Sequence, residues 1–143
     1  MVMSILPDGP WSVLEGRYDD RPMFVRLNTG ARTVSKSAEL TYRLGIAVPF
    51  QSSSEEGLPT SSESTVLVSI EETLCESLRA GTEVVLTLVI TTSGMREFVF
   101  YCAMPAHVSS AVASVRQRFP SYEIQVVEES DPDWTVFDQF AGE

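Results

Sequence analysis

An α+β sandwich is the fold class this sequence predicts, and three observations carry it. Residues 39–50 and 122–128 alternate side chains at the two-residue period of strands with one buried face, and 83–103 sets two β-prone runs around "TSGM". Residues 64–81 and 105–119 instead place apolar side chains at helical spacing. From residue 39 the order is therefore strand, helix, strand, strand, helix, strand, which is two split β-α-β units. Right-handed crossovers put both helices on one face of an antiparallel sheet with 41–48 and 96–103 at its centre, a ferredoxin-like βαββαβ sandwich. An N-terminal β-hairpin over 11–28 and a short C-terminal helix in a closing segment, 129–140, complete one domain spanning 1–143 around a core at 39–128.

Each element has its own local cause. "WSVLEGRYDDRPMFVRLN" (11–28) sets two β-prone runs around the turn-forming "DDRP", with Pro22 tolerated at the start of the second strand. In "ELTYRLGIAVPF" (39–50), Tyr42, Leu44, Ile46 and Val48 alternate with Arg43, Gly45 and Ala47. "QSSSEEGLPTSSES" (51–64) reads as a mobile loop, rich in Ser, Gly, Pro and Glu. The helix after it carries Leu67, Ile70, Leu74 and Leu78 as one stripe, with Ser61, Ser62 or Ser64 as its cap. "EVVLTLVITTSGMREFVFYCA" (83–103) is a second hairpin in which Gly94 supplies a positive φ. Pro105 opens the next helix, whose stripe is Val108, Ala111, Val112, Val115 and Phe119.

Alternation assigns Tyr42, Leu44, Ile46, Val48, Val84, Leu86, Leu88, Ile90, Phe98, Phe100, Cys102, Tyr122, Ile124 and Val126 to the helix-covered face. The opposite face then holds Val85, Val89, Val99 and Tyr101, an apolar patch too large to stay wet. The expected cover is first the N-terminal hairpin, then a second subunit in a homodimer, then a ligand.

The net charge of −10 is uneven. Residues 1–50 sum to +1, with six basic and five acidic groups, whereas 51–143 sum to −11. Such a surface repels phosphate backbones, so no direct nucleic-acid binding is expected and a basic protein is the natural partner. No apolar run reaches the roughly 18 residues that span a bilayer, so no membrane association is expected. "MVMSILPDGPW" lacks the basic and apolar regions of a leader. Cys75 and Cys102 have no CxxC spacing, which points to free thiols and a cytoplasmic location.

Reactive constellations are sparse. His107 has no carboxylate or nucleophile tied to it by local spacing and reads as a surface or capping residue. Glu128, Glu129, Asp131 and Asp133 supply cation-binding oxygens but lack the spacing of a calcium loop. No phosphate-cradling glycine loop, GxSxG or HExxH occurs, so no catalytic, cofactor-binding or metal residue is expected. The candidate interaction surface is Arg26, Asn28, Arg43, Tyr101, Glu128, Glu129, Asp131 and Asp133. Arg43 is expected to pair with Glu97 or Glu123 across strands, or to meet a ligand carboxylate. Asp131–Pro132 reads as a helix-start turn, and Trp134 and Phe137 as structural aromatics that dock the closing segment, with Phe140 near the same face.

The landmarks also resemble a known family. Gly16 to Asn28 follows G-x-x-x-x-x-P-x-x-V-R-x-N, "GMREFVFYC" forms the second hairpin, and Asp131 to Trp134 gives D-P-x-W. Their order over residues 11–140 resembles the bacterial domain-of-unknown-function family 695. D-P-x-W is also similar to a motif in the B-type regulators of ribonuclease E activity, from which the N-terminal half departs. That resemblance implies a protein-binding regulator, and no catalytic residues carry over from it. The expectation is thus a non-enzymatic protein-interaction or regulatory module, a monomer or a homodimer. The alternative is a small-molecule or metal-binding domain using the open sheet face around Arg43, Val99 and Tyr101.

Overall fold

A computed structural model of the chain describes residues 6–52, 54–81, 83–103 and 108–142; His107 and Pro105 lie outside them. The chain forms β1 (Trp11–Tyr18), β2 (Arg21–Asn28), a 3-10 turn (Thr29–Thr33), β3 (Tyr42–Pro49), α1 (Ser61–Arg79) and β4 (Val84–Thr92). It continues through β5 (Met95–Cys102), α2 (Val108–Arg118), β6 (Gln125–Ser130) and α3 (Thr135–Ala141). One six-stranded antiparallel sheet has the order β1-β2-β4-β5-β3-β6, so β3 and β5 lie side by side inside it as expected. Glu129 and Ser130 end β6, so the last strand extends two residues into the stretch assigned to the closing segment.

Both hairpins turn on two residues in the left-handed region, Asp19 and Asp20 in the first, Ser93 and Gly94 in the second. That geometry matches the twist of the flanking strands. Thr60 caps α1 through its hydroxyl, which accepts the Glu63 N–H at 3.2 Å, so the helix starts three residues before the apolar stripe suggests. Glu63 is buried and turns back to accept the backbone N–H groups of Gln51 and Ser52 and the Tyr122 hydroxyl. The loop that reads as mobile is therefore tied down at Gln51, Ser52 and Gly57. Gly57, at φ +83°, lends its carbonyl to Gly94, and Phe50 donates to the Gly94 carbonyl.

The helix-covered face packs Leu44, Ile46, Val48, Phe98 and Phe100 against Leu67, Ile70 and Leu74 of α1 and Val112 and Val115 of α2. On β4 the sheet departs from the expected alternation. A bulge between Leu86 and Leu88 leaves Thr87 as an extra residue, its hydroxyl donating to the Val99 carbonyl at 2.8 Å. Beyond it the phase inverts, because an inserted residue moves every later side chain to the other face. Val89 joins the helix-covered core, while Leu88 and Ile90, expected there, pack on the opposite face.

That opposite face is closed, but not by the expected cover. The hairpin does not fold over it; β2 pairs edge-on with β4, from Met23 opposite Thr92 to Leu27 opposite Leu88, and widens the sheet. The cover comes from α3 and the 29–40 segment. Trp134, Phe137, Ala141, Ala31 and Leu40 pack on Val25, Leu27, Val85, Leu88, Val99 and Tyr101. Val99 and Tyr101, which the alternative reading placed on an open face, are at most 1% exposed, covered among the described residues by this second core.

Candidate functional site

Three of the eight candidate surface residues are internal struts. Asn28 is fully buried; its amide donates to the carbonyls of Pro7 and Leu86, and its Oδ1 accepts the Gly9 N–H. Tyr101 is fully buried and donates its hydroxyl to Asp131 at 2.7 Å. Asp131 also accepts the Thr135 N–H at 3.0 Å and the Thr135 hydroxyl at 2.8 Å, which caps α3 as the sequence suggests. Its carboxylate is thereby spent on the fold. The D-P-x-W motif consequently has a structural job: its Asp caps α3 and its Trp closes the second core.

The remaining acids do not converge. Glu128 lies opposite Leu44 and Glu129 opposite Arg43, so they leave β6 on opposite faces, while Asp133 is exposed on the turn before α3. Among the described residues no group of three or more His, Cys, Asp or Glu could hold a metal ion. Arg43 takes Glu129 as its partner rather than Glu97 or Glu123. Burial pushes the Glu97 carboxyl up, with Arg43 opposing that rise. Glu123 instead accepts from the side chain of Gln125 at 2.8 Å. Burial also pushes the Cys75 and Cys102 thiols up to about 11, so neither is a thiolate at neutral pH.

Burial raises the Asp131 carboxyl, but hydrogen bonds from Thr135, Tyr101 and Val136 outweigh it and leave it below the usual 3.8. A group held lower in the folded than in the unfolded chain adds stability above the unfolded value and loses it as pH falls through the folded one. Asp131→Asn is thus expected to cost about 1–3 kcal/mol near pH 7, and the gap to the parent should close below about pH 4. Urea midpoints of both proteins across that range test it; a gap that persists in acid would detach the effect from the Asp131 charge.

A concave site lies elsewhere, on the helix-covered side of the sheet that Val89 shares. A cleft of about 300 Å³ has Phe24 and Arg26 of β2, Val89 and Thr91 of β4 and Arg96 of β5 as its floor, with Leu58 and Pro59 as its wall. The floor is a cross-strand arrangement: Phe24 opposes Thr91, which opposes Arg96, and Arg26 opposes Val89. The bulge at Thr87 builds it, because the inverted phase brings Val89 and Thr91 to this side. Arg26 is held by Glu71 of α1 and lies over the Trp11 ring, 5.2 Å from its centroid. Arg96 donates its Nε–H to the Thr91 hydroxyl at 2.9 Å, and among the described residues no carboxylate lies within 4.0 Å of it. Burial and then the neighbouring charge of Arg26 lower the proton affinity of Arg96, with Glu71 opposing. Two guanidiniums face this recess, and among the described residues Arg96 has no salt-bridge partner; groups of this kind can donate to an oxyanion.

Arg26 was legible as a candidate, but Arg96 was missed. The signal existed: Arg96 shares the phase of Phe98 and Phe100 on β5, so it is a cation on the apolar side of its strand.

A family model described as a family of unknown function (DUF695) matches residues 9–141. No curated protein and no solved structure matches the chain.

Proposed function

The chain belongs to the family of unknown function DUF695, and from that premise we propose that it is a non-enzymatic binding module holding an oxyanion in the cleft between the β2-β4-β5 floor and the Leu58-Pro59 wall. The single observation that carries this reading is Arg96, lining an apolar recess beside Arg26 with no carboxylate partner among the described residues. The ligand class follows from the lining. Arginines and a threonine hydroxyl donate to carboxylate or phosphate oxygens, while Phe24, Leu58, Pro59 and Val89 accept an apolar body. Binding without turnover suits such a lining, because guanidinium stays protonated and accepts no proton near neutral pH. The ferredoxin-like label for the βαββαβ core and residence in a reducing cytosol, consistent with two buried free thiols, belong to the same proposal.

Benzoate and phenyl phosphate are suitable probes, since each joins one oxyanion to an apolar ring. Calorimetric titration of the wild-type protein is expected to show binding of at least one, and the preferred probe distinguishes carboxylate from phosphate. Arg96→Met, which keeps the apolar stem, should weaken it at least about tenfold, the scale of a lost charged hydrogen bond. Equal affinity in the variant, or no binding of either probe to the wild type, would overturn the reading.

A second reading, a basic protein partner, is favoured by edge strand β6, where Glu128 and Glu129 are exposed. Its test is a salt-dependent pull-down from lysate with Glu128 and Glu129 changed to Gln, leaving Asp131 intact because it caps α3. A captured basic protein lost in that variant supports this reading; capture that survives neutralisation sinks it.

A further inference from the structure

We propose that β1 is a self-complementary edge through which two copies of this chain join their sheets. The strand ends the sheet, paired with β2 alone, and residues 12–18 are all exposed. Three of the six exposed large apolar side chains among the described residues sit on it: Val13 at 65%, Leu14 at 36% and Tyr18 at 60%. An open, apolar edge of this length is a template for another strand. The opposite edge, β6, carries Glu128 and Glu129 instead, and one acidic edge repels its copy.

The occupant follows from charge and symmetry. A two-fold axis pairs β1 antiparallel with its copy, the same patch on both sides. Centring the axis on Gly16 sets Glu15 opposite Arg17 of the second copy, and Arg17 opposite Glu15, on one face of the joined sheet. On the other face the same register sets Leu14 opposite Tyr18 twice. Moving the centre one residue either way is penalised, since it opposes Glu15 to Glu15 or Arg17 to Arg17. Gly16 falls on the axis, where it adds no bulk between the Leu14 and Tyr18 pairs. Among the described residues the salt partner of Arg17 is exposed Asp20, 3.9 Å away, whose carbonyl also accepts from it at 2.6 Å; both contacts are solvent-exposed, so Arg17 can exchange them at little cost. The pairing uses a strand edge and leaves both the closed face and the arginine cleft of each copy intact.

Sedimentation velocity over a dilution series is the test. The wild type is expected to move from monomer to dimer as concentration rises. Glu15→Arg alone and Arg17→Glu alone each place like charges opposite one another twice, and each should weaken the dimer at least about tenfold. Mixing these two variants should restore a dimer, because a strand bearing two arginines then lies against a strand bearing two glutamates. The double exchange Glu15→Arg with Arg17→Glu should dimerise by itself. Circular dichroism and benzoate or phenyl phosphate titration report whether each variant remains folded. A wild type that stays monomeric, single variants that dimerise normally, or a mixture that remains monomeric would each overturn the proposal.

Discussion

Replacing Trp134 by alanine is expected to lower the unfolding free energy by about 3–5 kcal/mol, the range for losing a buried large aromatic. For a chain of this size that corresponds to a fall in Tm on the order of 10 °C. Trp134 is fully buried, stacks on Tyr101 with ring centroids 4.1 Å apart and meets the edge of Phe137 at 5.3 Å. Its indole N–H donates to the Leu40 carbonyl at 2.8 Å, which joins the end of the chain to the segment before β3. Truncation opens a cavity over Val85, Val99 and Tyr101 and leaves that carbonyl unpaired in an apolar setting. Trp134→Phe separates the two effects, since it keeps an aromatic ring but no donor, and should cost about 1–3 kcal/mol. Urea unfolding of the parent and both variants gives the comparison. A loss below about 1 kcal/mol for alanine would mean that α3 is not docked on the sheet.

The second large effect is expected at Asn28, a residue of the candidate interaction surface. Asn28→Ala removes an amide that joins Pro7, Gly9 and Leu86 in one set of hydrogen bonds. The Leu86 carbonyl is part of the buried sheet, and an unsatisfied buried group costs about 1–3 kcal/mol. With the N-terminal segment released as well, the total should be about 2–4 kcal/mol. Asn28→Ala and Arg96→Met then give opposite patterns. The first should lower the urea midpoint while the remaining folded protein keeps its cleft. The second should leave the midpoint nearly unchanged and weaken probe binding. If Asn28→Ala proved neutral in stability, Asn28 would return to the candidate binding residues.

The sequence by itself determined the kinds of element and their order. It also determined which side chains of β3 and β5 meet the helices, and that Asp131, Trp134 and Phe137 close the fold. These are local properties. "TYRLGIAV" has a polar phase and an apolar phase, so its facing is written within the strand. "SDPDWTVF" has a capping carboxylate four residues before the amide it binds. Only the tertiary structure decided the phase of β4 beyond Thr87, the cover over Tyr101, the partner of Arg43 and the existence of the arginine cleft. "VVLTLVI" is apolar in both phases, so neither facing is disfavoured by its own residues, and the bulge settles where β2, β5 and both cores are satisfied together. Arg26 and Arg96 lie 70 positions apart in sequence. They meet because β2 pairs with β4 and β4 with β5, and such pairing energies belong to strands already assembled into the sheet.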